Sequence, residues 1–471
     1  MKRTFCAFLA LLLLLLSVPS VAAEDPAAAA LIEGCYTEDY VDLEEYRLTE
    51  DALDELFYAL RDGGKMPWYT DYGYTYYVDA KGIVTSYKPD TLDPELYDRE
   101  AYELALDQLI DKVVFPGMTP VEIALAVHDH LITHCAYDES LQRNTGYDLL
   151  IHGSTVCAGY SELYMDILNR LGIPCVCVSS DGMDHAWNLV YLNDAWYHVD
   201  ITWDDPTPDT HGTAEHTYFL LTDAQILTEG DGHSGWETDI VCDGEPFTDA
   251  FWREVESPVC FTGAQQCVFR RDTDFVPEIY AMDLTNGETT LLYRGQEEYV
   301  DVGHGEYAYA TCGLSLCAGR LWFSDMTTLW SMTPEGKDLR REYTQDVSTG
   351  RFLHGSFVEA GQLYCSLSDH DFELTEVQVE LPGAQEHVHV YETTDIAPTC
   401  TAPGQTLYRC GCGDSHTVET EPPADHSYSF TLETPGRTGD GALRLSCTGC
   451  EQQLILPLPR CLFIRTWLRL S

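Results

Sequence analysis

Residues 153–172 read GSTVCAGYSELYMDILNRLG, and residues 185–205 read HAWNLVYLNDAWYHVDITWDD. In the first stretch Tyr160, Leu163, Ile167, Leu168 and Leu171 fall on one face of a helix. Gly172 is a natural stop with Pro174 just beyond it, and Ser154 or Thr155 can cap the start. Cys157 therefore sits in or just before the first turn, where the partial positive charge of a helix end favours a thiolate. Taken alone, such a cysteine reads sooner as a buried helix residue. The second stretch changes that. Two β-rich runs flank Asn193-Asp194, a two-residue hairpin turn. If Leu192 pairs with Ala195, Trp187 faces Asp200 and His185 faces Thr202. His185 and Asp200 then lie diagonally on one face, about 7–8 Å apart at the backbone, within reach of a His–carboxylate hydrogen bond. A slip of one residue separates them.

A cysteine at a helix start and a His–Asp pair on adjacent strands supply a thiol triad. Cys157 is the candidate nucleophile. His185 holds it as thiolate and protonates the leaving amine, and Asp200 fixes the imidazole tautomer and stabilises its cation. The N–H of Cys157 is a candidate oxyanion donor. Trp187 shares the His185 face and is the candidate binding residue, set against the commoner role of core packing. Asn188 falls on the opposite face and reads as support. His198 shares the Asp200 face and reads as a polar neighbour. His128 and Asp129, on a helix, read as structural.

VCAGYS at 156–161, LGIPC at 171–175, HAWN at 185–188 and WYHVDITWDDP at 196–206 resemble the bacterial transglutaminase-like superfamily. VHDHL at 127–131, YD at 137–138 and YFL at 218–220 extend the resemblance over residues 40–225. The order Cys157, His185, Asp200 matches the family's triad. The resemblance implies a papain-type α+β fold and acyl transfer or hydrolysis at protein amide bonds through a Cys157 thioester, with no cofactor for catalysis. The family also includes deamidases and inactive members, so a non-catalytic binding or adhesion protein of the cell surface is the alternative.

The remainder of the chain frames this segment. Of 471 residues, 26 are Lys or Arg and 78 are Asp or Glu, a net charge of −52. That balance argues against nucleic acid, which needs clustered cations, and against a polybasic grip on anionic lipid. With 45% apolar and 11% aromatic residues, the acidity does not imply disorder. Residues 1–23 read as a secretory signal: Lys2 and Arg3, an apolar run over 5–16, then small residues. The expectation is a secreted or extracellular chain, associated with the cell surface or matrix, acting on a protein or peptide substrate. Residues 24–230 are the catalytic domain, 240–385 an all-β accessory domain and 386–471 a Cys/His-rich region. Within 240–385, EIYAMDLTNG at 278–287 resembles TLWSMTPEG at 328–336, and GRLWFS at 319–324 resembles GQLYCS at 361–366; the spacing suits propeller-like blades.

The last region holds two copies of one unit. His389 precedes Cys410 by 21 residues, and His426 precedes Cys447 by 21. His389, Cys400, Cys410 and Cys412 are candidate ligands of a structural zinc. The second unit offers only His426, Cys447 and Cys450, with Arg437 where a match to Cys400 would fall. Disulfides compete for the same cysteines in an exported chain. These units resemble short Cys/His repeats at the ends of secreted Gram-positive proteins.

Overall fold

The computed structural model describes residues 25–458 apart from 208–209, 231, 256, 274–275, 297–299, 304–305, 309–312, 360, 370–372, 382–390, 411–414, 422, 425, 434–440 and 451. The expected leader, 1–23, lies outside them. The chain divides into two compact units between Gln385 and Glu386.

The first unit opens with helices α1 (Pro26–Gly34) and α2 (Glu50–Asp62) against an antiparallel sheet of β1 (Val41–Asp42), β2 (Thr70–Val78) and β3 (Val84–Thr91), in the order β1-β3-β2. The Thr49 hydroxyl caps α2, and Leu31, Leu53, Phe57, Leu60, Val84 and Tyr87 fill the core between the layers. Helices α3 (Arg99–Val113), α4 (Pro120–His134), α5 (Gly146–His152) and α6 (Cys157–Arg170) follow. The capping box expected at α4 is formed: Glu122 N–H donates to Thr119 Oγ1 at 3.3 Å, and Thr119 N–H to Glu122 Oε2 at 2.7 Å.

The start of α6 differs from the sequence expectation. Ser154 and Thr155 do not cap it but form β5 (Ser154–Thr155), parallel to β4 (Ala136–Tyr137). Val156 is the cap residue and makes no side-chain bond. Of the first-turn N–H groups, that of Ala158 meets the thiol, while those of Gly159 and Tyr160 donate to Val156 O at 3.0 and 3.3 Å. Gly159 allows this close seating, since a Cβ there would come within 2.5 Å of the Thr145 carbonyl oxygen.

Strands β6 (Cys175–Ser180), β7 (His185–Leu192), β8 (Ala195–Val199) and β9 (Phe219–Leu221) make an antiparallel sheet in sequential order. Asn193 and Asp194 both have positive φ, 51° and 65°, as a tight type I′ hairpin requires. Leu192 pairs with Ala195 and Asn188 with Val199, the register read from the sequence. Strand β8 stops at Val199, however. Asp200 is the N-cap of a short helix, α7 (Ile201–Asp204), accepting Trp203 N–H at 3.2 Å, so the expected pairing of His185 with Thr202 does not occur. Tyr160, Leu163, Tyr164, Ile167 and Leu168 bury the inner face of α6 in one core with Val190, Leu192, Val199 and Phe219 of the sheet, each contributing about 1.5–3 kcal/mol.

A buried polar network ties α4 to this sheet. His128 lies 2.8 Å from Asp129 Oδ1 and 3.0 Å from Asp204 Oδ2, and His216 lies 3.0 Å from Asp129 Oδ1. Burial opposes the charge on His128, but the two carboxylates outweigh it and push its pKa up to about 9. A histidine whose folded pKa is raised contributes stability that is whole below its ordinary value of about 6.5 and is lost as pH rises through the folded value. The unfolding midpoint is therefore expected to fall between about pH 6.5 and 9.5, and His128→Gln to flatten the fall. A wild-type midpoint level across that interval would contradict a charged His128.

The core continues into the β-rich part, where Val255, Val259, Phe261 and Phe269 join the cluster of α4 and α6. That part comprises the meanders β10 to β13 (Cys260–Gly263, Gln266–Arg270, Glu278–Asp283, Thr289–Arg294), β14 and β15 (Val300–Gly303, Glu306–Ala308), β16 to β19 (Leu314–Cys317, Arg320–Ser324, Thr328–Met332, Arg340–Thr344) and β20 to β22 (Phe352–Glu359, Gln362–Ser368, Leu374–Glu380). The sequence repeats fall on equivalent strands: β12 and β18 are third in their sheets, β17 and β21 second. No sheet closes into a barrel among the described residues. The fold is α+β with a mostly-β C-terminal region. Among the described residues the second unit holds two three-stranded meanders, β23 to β25 (Tyr391–Ile396, Gly404–Cys410, Ser415–Glu421) and β26 to β28 (Tyr428–Glu433, Gly441–Cys447, Gln453–Leu458). Among the described residues no helix is long and apolar enough to cross a membrane.

Candidate active site

Helix α6 and strand β7 bring Cys157 and His185 together, and the turn after β8 adds Asp200. Cys157, the first residue of α6, is a half-buried free thiol. His185 Nε2 lies 2.6 Å from Asp200 Oδ2. The other face of the imidazole hydrogen-bonds the Cys157 sulphur. With Nε2 engaged by Asp200, Nδ1 is the nitrogen left for the thiol. The three expected residues thus form one hydrogen-bonded line.

The electrostatics follow from that line. Burial opposes ionisation of Cys157, but the His185 hydrogen bond and charge, with the N–H groups of Ala186 and Ala158, lower the thiol below its ordinary value. Burial likewise opposes charge on His185, but Asp200 and the sulphur raise it to about 9. Asp200 is itself buried, yet hydrogen bonds from His185 and His233 hold its carboxyl below the usual range. Both shifts favour the thiolate–imidazolium form of the pair.

His233 is the member that sequence reasoning missed. Its Nε2 lies 2.7 Å from the same Asp200 oxygen, and its Nδ1 is buried without a hydrogen-bond partner. An Nε2–H tautomer satisfies both facts: the ring donates to Asp200 and leaves only an acceptor unmet. No pattern flags His233, which stands in a loop 33 residues beyond Asp200. That loop is pinned by Ser180 Oγ donating to Ser234 O at 2.6 Å and by His233 N–H donating to Ile226 O at 2.9 Å.

Trp187, the candidate binding residue, is only 1% exposed and so presents no wall to a substrate. It stacks on His185 at 5.6 Å between centroids, as Trp203 does at 5.3 Å, and its Nε1–H donates to His198 Nδ1 at 2.9 Å. His198 in turn donates to Asp223 at 2.8 Å. Asn188 Nδ2 donates to Ser161 O at 3.0 Å, bolting β7 to α6. These residues support the imidazole.

An open cleft of 270 Å³ begins at Ala158 and Ala186, the neighbours of Cys157 and His185, and runs past Trp68, Tyr72, Tyr147 and Glu162. Its floor is pre-formed: Glu162 accepts from Arg61 at 2.7 Å, Tyr72 at 3.2 Å and Gly146 N–H at 3.0 Å, while Arg61 lies over the Tyr72 ring.

Among the described residues of this unit, three His-containing groups bring ligand-type atoms within 4.8 Å: His128, Asp129 and His216; His185, Asp200 and His233; His198, Asp223 and Cys242. Hydrogen bonds between imidazole and carboxylate account for the first two groups and for His198 with Asp223, and the Cys242 thiol bonds the same Asp223 carboxylate. Of the candidate zinc ligands, His389, Cys412 and the Cys410 side chain lie outside the described residues. Cys400 is described and stands beside His426, Cys447 and Cys450 of the second repeat.

Residues 107–201 match the model of the transglutaminase-like superfamily, a span that contains all three members of the hydrogen-bonded line. The chain carries a transglutaminase-like domain. It is 29% identical over 143 residues to the human kyphoscoliosis peptidase, covering 26% of this chain and 21% of that protein. The chain thus spans about a fifth of the length of the curated relatives it matches. Among solved structures, a TGase shares 18% identity over 27% of this chain and 43% of its own, with a TM-score of 0.18. A candidate cysteine protease from Cytophaga hutchinsonii shares 13% over 38% and 69%, with a TM-score of 0.19.

Proposed function

We propose that the chain is an exported thiol enzyme that opens amide bonds of protein or peptide substrates through a thioester on Cys157. The observation that supports this reading best is the line from the Cys157 sulphur through His185 to Asp200, with the thiol lowered and the imidazole raised. The substrate enters the cleft beside Ala158 and Ala186. The thiolate adds to the amide carbonyl. As the C–N bond breaks, the imidazolium gives its proton to the departing amine, leaving the thioester and a neutral imidazole. Water or a second amine then attacks, His185 takes its proton, and the acyl group leaves the sulphur as acid or new amide. Asp200, held by His233 and by Trp203 N–H, keeps the ring oriented through both halves. The relative that bears the name peptidase is in keeping with a protein substrate.

Hydroxylamine intercepts a thioester whichever acceptor is natural. The full chain, given glutamine-containing peptides and casein with hydroxylamine, is expected to yield acyl hydroxamate, and to lose that yield once Cys157 is alkylated. Absence of hydroxamate, together with a Cys157 that alkylates like an ordinary thiol, would overturn the enzymatic reading in favour of a binding module.

A further inference from the structure

The second unit is poorly provided with a core. Among its described side chains only Thr406 and Cys447 are buried, while Ile396, Val418, Leu432, Leu454, Ile455 and Leu456 are exposed. Small three-stranded sheets of this kind need a staple. Four soft or borderline ligands converge in it. Cys400 lies in the loop between β23 and β24, His426 just before β26, Cys447 at the end of β27, and Cys450 in the turn before β28. Cys400 Sγ is 3.6 Å from Cys447 Sγ. His426 Nδ1 is 3.4 Å from Cys447 Sγ and 3.5 Å from Cys450 Sγ. All four ligand atoms lie within 4.8 Å of one another.

These separations have the size of a tetrahedron's edges. Zinc–sulphur bonds of about 2.3 Å and zinc–nitrogen bonds of about 2.0–2.1 Å set ligand–ligand edges of about 3.6–3.8 Å. A disulfide would need the sulphurs at about 2.05 Å. Backbone N–H groups meet the sulphurs as they meet metal thiolates: Gly449 N–H is 3.4 Å from Cys447 Sγ, and Gln452 N–H is 3.5 Å from Cys450 Sγ. Cys447 and Cys450 are spaced as a two-residue knuckle. The loop that carries Cys400 is fastened to the segment before His426 by Ala424 N–H donating to Thr399 O at 3.0 Å. Three sulphurs and one imidazole nitrogen at tetrahedral spacing suit zinc above magnesium or calcium, which take oxygen.

We propose that Cys400, His426, Cys447 and Cys450 form a structural zinc site that clamps the two C-terminal repeats together. The first repeat thus lends the ligand that the second lacks at Arg437. The site belongs wholly to the second unit and stands whether or not the chain is an enzyme.

The test uses the full chain, purified with zinc under reducing conditions, and maps alkylation by peptide mass spectrometry before and after chelation. Cys400, Cys447 and Cys450 are expected to be protected together and to become reactive together when zinc is withdrawn. Cys450→Ser is expected to remove zinc and unprotect Cys400, whereas Cys410→Ser leaves Cys400 protected. Alkylation indifferent to the chelator, or recovery of Cys400 and Cys447 as a disulfide, would overturn the site. So would protection of Cys400 that survives Cys450→Ser but not Cys410→Ser. The wild-type measurement decides the matter even if a variant fails to fold.

Discussion

His185→Ala is expected to lower kcat/KM toward an amide substrate by about 10⁴-fold or more, with little loss of folded protein. The ring holds the thiolate before attack and supplies the leaving amine's proton afterwards, so one substitution removes two functions. The wild-type pH profile carries the same information. Activity should rise as Cys157 ionises, below the ordinary thiol range, and fall as His185 loses its proton near about 9. These two limbs belong to the pair as a unit. In His185→Ala the low-pH limb of Cys157 alkylation should disappear. The remaining titration should move to about 8.5 or above, the free-thiol value or higher, since burial still opposes the charge. An unchanged alkylation profile in the variant would show that His185 does not hold the thiolate.

Asp200→Ala is expected to destabilise the first unit by about 3–5 kcal/mol as well as to inactivate it. Asp200 is buried and is the shared acceptor of two imidazoles and one backbone N–H. Its removal leaves His185 and His233 without an acceptor in a site that water does not readily reach, and takes the cap from α7. Because its folded pKa is depressed, its contribution is present above the ordinary carboxylate pKa of about 3.9 and is lost as pH falls through the folded value. Denaturant unfolding at neutral pH should therefore separate the variant from wild type clearly, and the gap should close in acid. Asp200→Asn keeps the shape and one acceptor oxygen but loses the charge. It should recover much of the stability while activity stays low. Full activity in Asp200→Asn would reduce the carboxylate to a spacer.

Much of the site was legible because it depends on local periodicity. The α6 stripe, the Asn193-Asp194 turn and the alternation along β7 and β8 are each set by residues a few positions apart. Once Leu192 is paired with Ala195, the approach of His185 to Asp200 follows. The way Asp200 gets there was not legible in full. An aspartate can continue a strand or cap a helix, and Trp203 N–H decides for the cap. The sequence favours core packing for Trp187 but does not exclude substrate contact, because an aromatic residue in a hairpin serves either. Its burial beneath His185 places it with the support.

Local sequence, then, determined the helix that carries Cys157, the hairpin that carries His185 and the order of the triad, because caps, turns and apolar periods act over a few residues. Contacts between distant segments were decided only by the tertiary structure. His233 reaches Asp200 across 33 residues, and Cys400 reaches Cys447 across 47. Neither pairing leaves a periodic trace, because loop closure constrains where the ends of a loop meet and not which residues stand there.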